Sequence, residues 1–119
     1  MRYRALIVED DPAIRKLVEK LLVRKGIEID TAHDGRQAIE KIRTGAYNVL
    51  ILDLMIPEVN GFEVIDYVKK NKIHLPIVVV SAVSHQALTK LDLDVVKLVI
   101  SKPFDVDEFT KSVYALCCE

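Results

Sequence analysis

Short apolar runs alternate with amphipathic segments along the whole chain. Three of these runs, at 5–8, 49–52 and 77–80, show no alternation between apolar and polar residues, which predicts strands buried on both faces of a sheet. The segment 27–31 reads Ile-Glu-Ile-Asp-Thr and alternates, which predicts an edge or half-exposed strand. Residues 98–100 form a further apolar run and predict the last of five strands.

Apolar residues between the predicted strands recur at helical spacing. The clearest stripe falls at i, i+3, i+4, i+7 and i+8 and consists of Ile14, Leu17, Val18, Leu21 and Leu22. Asp11 can cap this helix, and Pro12 suits its first position. Shorter stripes predict a second helix, a third that begins at Phe62 after a turn-rich loop over 56–61, and a last helix that Asp105 can cap.

One segment, 84–98, carries two conflicting patterns. Its first apolar residues, around Leu88, favour a short helix. Leu91, Leu93 and Val95 alternate with polar residues instead, as they would in a strand. The pattern therefore leaves the structure of this segment open.

Strand–helix pairs repeated five times in 119 residues predict an α/β fold with a five-stranded parallel sheet and helices on both faces. Right-handed crossovers restrict the topology of such a sheet. The flavodoxin-like strand order 2-1-3-4-5 fits both the length and the weakly apolar second strand. A chain of this length predicts one domain, over residues 1–119.

Composition and charge narrow the functional classes. Hydrophobic residues make up 50% and charged residues 29%, which is typical of a globular domain rather than a disordered one. The net charge of -1 gives this domain no electrostatic reason to bind nucleic acid or an anionic membrane directly. We find no signal peptide and no membrane-length apolar run, and the only cysteines are the adjacent pair Cys117 and Cys118. We therefore expect a cytoplasmic protein.

Polar side chains follow four of the five predicted strands. They are Glu9, Asp10 and Asp11 after the first, Asp53 after the third, Ser81 after the fourth, and Ser101 and Lys102 after the fifth. Ligands of open α/β sheets bind outside the carboxyl ends of the strands, where these residues converge. Each alone has an ordinary structural role: acids cap helices or begin turns, a serine caps, and a lysine is solvated.

Taken together, these residues favour a site for a metal ion and a phosphoryl group. Several carboxylates at one place repel one another unless a cation holds them. Oxygen ligands with few protein donors suit Mg²⁺, which retains water and favours phosphate as a co-ligand. The ammonium group of Lys102 and the hydroxyl group of Ser81 are suitable donors to a phosphoryl group.

Three other functional classes fit the sequence less well. A flavodoxin-like cofactor binder needs a phosphate-binding loop after the first strand, where this chain has acids. A nucleotide-binding domain needs a G-x-G-x-x-G motif or a P-loop, and the sequence contains neither. A phosphatase with an Asp-x-Asp nucleophile motif needs an acid where Met55 stands.

The whole chain resembles the receiver domain of bacterial two-component response regulators, which has the CheY-like fold. The resemblance rests on five segments in order, at intervals similar to those of the family. They are Leu6-Ile7-Val8-Glu9-Asp10-Asp11-Pro12, Leu50-Ile51-Leu52-Asp53-Leu54-Met55-Ile56-Pro57, Asn60-Gly61, Ser81-Ala82 and Lys102-Pro103-Phe104.

The resemblance implies that Asp53 accepts a phosphoryl group from a phosphohistidine on a sensor histidine kinase or a phosphotransfer protein. It implies that Asp10, Asp53 and the backbone carbonyl of Met55 bind Mg²⁺, and that Glu9 contributes through bound water. Ser81 and Lys102 would contact the phosphoryl group, and the bond between Lys102 and Pro103 would be cis.

Such a domain signals rather than turning over a substrate, and it catalyses only its own Mg²⁺-dependent phosphorylation and dephosphorylation. Its output domain or effector is not evident from the sequence. The alternative is a degenerate receiver that acts as a constitutive interaction module, whose mark would be the loss of a site residue. All the site residues are retained.

Two features depart from the family pattern. The position three residues before Lys102, which is usually aromatic, is Val99, and Val95-Val96 replaces a common Gly-Ala pair. Because Val99 is short and stiff at χ1, it cannot switch between exposed and buried positions as a ring can. We therefore expect a short, mobile helix over 84–93 to transmit the signal.

Overall fold

The computed structural model describes residues 3–56, 60–82, 91, 93–102 and 104–117. Its strands are β1 (Tyr3–Val8), β2 (Ile27–Ala32), β3 (Val49–Leu52), β4 (Ile77–Ser81) and β5 (Val96–Ser101). Its helices within these residues are α1 (Pro12–Val23), α2 (Gly35–Thr44), α3 (Gly61–Lys70) and α4 (Val106–Cys117). The predicted helix over 84–93 lies largely outside the described residues, and Pro103, where a cis bond is predicted, lies outside them.

The five strands form one parallel sheet in the order β2-β1-β3-β4-β5, which confirms the predicted topology. Successive residues of the central strands point to opposite faces, and each face carries its own apolar core. Leu50 and Leu52 pack with the apolar faces of α2 and α3, whereas Val49 and Ile51 pack with those of α1 and α4. Helices therefore cover both faces of the sheet.

The two edge strands differ slightly from the sequence prediction. β2 runs one residue further, to Ala32, and only its two end residues, Ile27 and Ala32, are fully buried, as suits a half-exposed edge strand. β5 spans Val96–Ser101 rather than only 98–100, and its pairing with β4 shifts register between Ile77 and Val78. Val96 pairs with Ile77 and Leu98 pairs with Val78, so the pairing passes over Lys97. An apolar run in the sequence does not predict such a shift.

α3 begins one residue earlier than predicted, because Gly61 belongs to the helix rather than to the loop. The side chain of Asn60 caps it by accepting a hydrogen bond from the Glu63 amide at 3.1 Å. In the part of the chain that the structure describes, each helix is too short or too polar to cross a membrane.

A polar network fixes the edge strand β2 to the rest of the domain. Asp30 on β2 accepts hydrogen bonds from the Lys41 ammonium at 2.8 Å and from the Tyr47 hydroxyl at 2.7 Å. Burial acts to raise the pKa of Asp30, but hydrogen bonds from Lys41, Tyr47 and the Thr31 amide outweigh burial and hold the pKa below its usual value. Asp30 therefore favours the folded state only while it is ionised.

We expect Asp30→Asn to lower the free energy of unfolding at neutral pH by about 1 kcal/mol, because the lost bonds are charge-assisted but partly exposed. The folded-state pKa of Asp30 is the lower one, so its contribution is complete above the unfolded value near 4 and disappears as the pH falls. Urea denaturation at neutral pH and at about pH 3 should show a difference between wild type and variant that shrinks in acid. A difference that stays constant with pH would contradict this role of Asp30.

Candidate functional site

Four strand ends bring the predicted site residues to one edge of the sheet. Backbone hydrogen bonds continue the parallel pairing one residue beyond the strands: the Asp53 amide donates to the Val8 carbonyl at 3.0 Å, and the Lys102 amide donates to the Ser81 carbonyl at 3.0 Å. The Glu9 amide donates to the Ala32 carbonyl in the same way, at 3.1 Å. The site residues are therefore held by the sheet itself.

Asp53 lies at the centre of this arrangement, with only 7% of its surface exposed. Its Oδ1 accepts hydrogen bonds from the Ser81 hydroxyl at 3.2 Å and from the Met55 amide at 3.0 Å. Its Oδ2 accepts a hydrogen bond from the Lys102 ammonium at 3.1 Å. Both oxygens of the carboxylate thus have donors, which hold it in one orientation.

Lys102 also bonds to a second carboxylate. Its Nζ lies 2.6 Å from Oε1 of Glu9, closer than to Asp53. The sequence prediction assigned Lys102 to a phosphoryl group and did not anticipate this pair, because the two residues are 93 positions apart. The ammonium group bridges the two acids and partly neutralises both.

Three carboxylates lie close enough together to bind one cation. One oxygen each from Glu9, Asp10 and Asp53 falls within 4.8 Å of the others. Glu9 and Asp53 are buried, and Asp10 is exposed at the rim. Hard divalent cations prefer oxygen ligands, so this donor set fits Mg²⁺.

The pKa values of the two buried acids, Glu9 and Asp53, are shifted in opposite directions. Burial, followed by the proximity of Asp53, raises the pKa of Glu9 to about 7, despite the opposing effect of Lys102. Burial also acts to raise the pKa of Asp53, but hydrogen bonds from Glu9, the Met55 amide and Lys102 hold that pKa below its usual value. Asp53 is therefore the acid that stays ionised at neutral pH.

Lys102 stays charged in this environment. Burial acts to lower the pKa of Lys102, but its bonds to Glu9 and Asp53 outweigh burial and raise that pKa. The site thus combines the buried Asp53 carboxylate with a fixed positive charge 3.1 Å away.

Two supporting contacts were not predicted. Arg15 of α1 donates from its guanidinium group to the Glu9 carbonyl at 2.9 Å, which ties α1 to the end of β1. The amide of Gly61 donates to the Leu54 carbonyl at 3.0 Å, which fixes α3 against the loop after Asp53. An added Cβ at Gly61 would lie 2.5 Å from the Leu54 Cα, so only glycine fits this approach.

Three further residues singled out in the sequence occupy less central places. Met55 contacts the site through its backbone amide, whereas its side chain is 66% exposed. Val99 lies on the edge strand β5 and is partly exposed. Asp11 is not part of the acidic cluster and instead caps α1, accepting a hydrogen bond from the Ala13 amide at 2.9 Å.

Comparison with known proteins identifies the family. The model of the response regulator receiver domain matches residues 5–114. The chain belongs to this family. The flavodoxin-like fold and the acidic strand ends predicted from the sequence are therefore those of a two-component receiver domain.

The similar curated proteins are bacterial regulators. Transcriptional regulatory protein DltR of Streptococcus agalactiae is 36% identical over 107 residues, which cover 88% of this chain and 47% of that protein. Response regulator ArlR of Staphylococcus saprophyticus is 30% identical over 115 residues, covering 95% of this chain and 51% of that protein. This receiver chain spans about half the length of the curated relatives it matches.

Solved receiver structures share the fold over nearly the whole chain. The receiver domain of the Francisella response regulator 1452 superposes with a TM-score of 0.89 at 27% identity, covering 96% of this chain and 95% of that one. Response regulator protein TrrA of Thermotoga maritima, solved with Mg²⁺ and BeF, superposes with a TM-score of 0.85 at 35% identity. That alignment covers 96% of this chain and 98% of TrrA.

Proposed function

We propose that residues 1–119 form one receiver domain in which Asp53 accepts a phosphoryl group from a phosphohistidine. The donor would be a sensor histidine kinase or a phosphotransfer protein. The observation that carries this proposal is the environment of Asp53, a buried carboxylate with a lowered pKa whose two oxygens accept bonds from Ser81, Met55 and Lys102.

The chemistry of transfer follows from these contacts. A carboxylate oxygen of Asp53 forms a bond to phosphorus as the bond between phosphorus and the donor histidine nitrogen breaks, and the histidine retains the electron pair. Phosphoryl transfer depends mainly on alignment and charge neutralisation, since little other covalent chemistry is needed. The Lys102 ammonium supplies fixed positive charge for the phosphoryl oxygens, and the Ser81 hydroxyl supplies a further donor.

We propose that Asp10, Asp53 and the Met55 carbonyl hold Mg²⁺ and that Glu9 contributes through water. The metal supplies charge neutralisation for the phosphoryl oxygens when it is bound. Glu9 fits an indirect role because its pKa of about 7 leaves it only partly ionised at neutral pH, and because its Oε1 already accepts a bond from Lys102 at 2.6 Å. The product, an acyl phosphate on Asp53, adds close to two negative charges to the site.

The rest of the signalling path is also part of the proposal. The domain acts in the cytoplasm, catalyses only its own phosphorylation and dephosphorylation, and passes the signal to an output domain or effector. The name of the relative DltR, a transcriptional regulatory protein, favours a transcriptional output.

Asp53 is expected to be the sole phosphoacceptor. Incubation with acetyl phosphate and Mg²⁺ should add the mass of one phosphoryl group to wild type, and an Asp53→Asn variant should gain none. Asp66→Asn serves as the matched control, because Asp66 is an exposed acid on α3 and its loss should leave phosphorylation intact. Phosphorylation of the Asp53→Asn variant would overturn the assignment, and an inert wild type would favour the constitutive interaction module.

A further inference from the structure

The side chain of Met55 is unusually exposed for an apolar residue beside a buried site. It is 66% exposed, whereas its neighbours Leu54 and Ile56 are buried at 1% and 7%. The chain contains two methionines, Met55 and Met1. A thioether in this position is accessible to dissolved oxidants.

The backbone around Met55 is fixed on both sides of that side chain. Its amide donates to Oδ1 of Asp53 at 3.0 Å, and the preceding Leu54 carbonyl accepts the Gly61 amide at 3.0 Å. The buried side chains of Leu54 and Ile56 anchor the same loop in the apolar core. Met55 is therefore presented at the mouth of the site, two residues from the phosphoacceptor, on a loop that is tied to Asp53 itself.

We propose that Met55 is an oxidation site through which peroxides shorten the lifetime of the phosphorylated domain. The thioether sulfur takes one oxygen atom from a peroxide and becomes a sulfoxide, as the O–O bond breaks; hydrogen peroxide is thereby reduced to water. A methionine sulfoxide reductase can reverse the change. This inference rests on the proposed phosphorylation of Asp53.

The expected effect follows from the change in polarity. A thioether is only a weak hydrogen-bond acceptor and cannot orient a water molecule toward the phosphoryl group. A sulfoxide oxygen is a strong dipolar acceptor at the same place, so it can position water for attack on phosphorus. The acceleration should reach about threefold or more, below the roughly hundredfold effect of a positioned general base.

The test compares each protein with its own untreated sample. Wild type and a Met55→Leu variant are treated with hydrogen peroxide, then with dithiothreitol to restore the thiols of Cys117 and Cys118, and are phosphorylated with acetyl phosphate. Mass spectrometry locates the sulfoxide, and the decay of the phosphorylated mass gives the lifetime. A Met55→Gln variant, which carries an amide oxygen near that position, is measured without oxidant.

We expect wild type to gain a sulfoxide at Met55 and to lose its phosphoryl group at least about threefold faster after treatment. The lifetime of Met55→Leu should not respond to peroxide, and untreated Met55→Gln should decay faster than untreated wild type. Equal lifetimes of oxidised and untreated wild type would overturn this inference alone. Failure of untreated wild type to accept a phosphoryl group would overturn the proposed function, and this inference with it.

Discussion

A Lys102→Met variant should bind Mg²⁺ at least tenfold more tightly than wild type. The Lys102 ammonium lies 2.6 Å from Glu9 and 3.1 Å from Asp53, so it neutralises two of the three acids that would hold the metal. Even two unit positive charges about 4 Å apart repel by about 4 kcal/mol at an effective dielectric constant of about 20, and Mg²⁺ carries twice the unit charge. Relief of about a third of that repulsion is enough for the tenfold change.

The same variant should lose about a hundredfold or more in the rate of phosphorylation by acetyl phosphate. The fixed charge of Lys102 is directed at the position where the phosphoryl oxygens gather charge, and the loss of one such donor typically has an effect of this size. Tighter metal binding combined with slower phosphorylation would separate the role of Lys102 from general damage to the fold, which would weaken both.

Calorimetric titration of Mg²⁺ at about pH 8 measures the affinity, because Glu9 is mostly ionised above its pKa of about 7. Asp10→Asn is the control in which the affinity for Mg²⁺ should change in the opposite direction. It removes an exposed acid of the cluster, leaves Lys102 in place, and should weaken Mg²⁺ binding. A shift of the melting temperature with Mg²⁺ should follow the same order, since a ligand of the native state stabilises it. Unchanged or weaker affinity in Lys102→Met would contradict competition between the ammonium group and the metal.

The position of the site was predictable because it depends on topology rather than on side-chain packing. Once unbroken apolar runs identify parallel strands, the residues that follow them must lie at one edge of the sheet. Asp53 and Ser81 therefore could be placed together from the sequence, and the structure joins them by a hydrogen bond of 3.2 Å. The same logic covers Glu9 and Lys102, which directly follow β1 and β5.

The pairing of individual groups was not predictable by that logic. Whether Lys102 bonds to Glu9, to Asp53 or to both depends on the register of β5, which shifts at Ile77 and Val78. A shift of this kind depends on local backbone geometry, and an alternating sequence such as the one before β5 is compatible with more than one pairing. The sequence also has no pattern that indicates Arg15 as a donor to a backbone carbonyl.

Which of the two acids has the raised pKa likewise depends on the folded structure. Nothing in the sequence distinguishes Glu9 from Asp53 as the acid whose pKa is raised, because both follow buried strands. The difference arises from the surroundings: hydrogen bonds from Glu9, the Met55 amide and Lys102 hold the pKa of Asp53 down, whereas Lys102 does not offset the burial that raises the pKa of Glu9. Burial, neighbouring charges and hydrogen bonds together decide such balances.

Gly61→Ala should lower the free energy of unfolding by about 2–3 kcal/mol, the range for overpacking at a site that cannot relax. The added methyl group would lie 2.5 Å from the Leu54 Cα and 2.8 Å from the Asp53 carbonyl oxygen. Both are backbone atoms of the loop that carries the site, so α3 and this loop must separate. The small helix-forming advantage of alanine offsets only part of that cost.

Gly26→Ala is the matched control for this variant. Gly26 has a positive φ of 82° but has no atom within 4 Å of an added Cβ, so its substitution costs only the left-handed conformation, about 1 kcal/mol. Gly26 also follows α1 at the opposite end of the sheet from Asp53, so phosphorylation should be unaffected.

Urea denaturation and the rate of phosphorylation by acetyl phosphate measure the two effects of each substitution. Displacement of the Asp53 loop by about 1 Å should slow phosphorylation of Gly61→Ala by up to about a hundredfold, because transfer requires precise alignment. Gly26→Ala should show the smaller loss of stability and the wild-type rate. Equal stability losses in the two variants, with phosphorylation intact in both, would show that the close approach of α3 to Leu54 does not position Asp53.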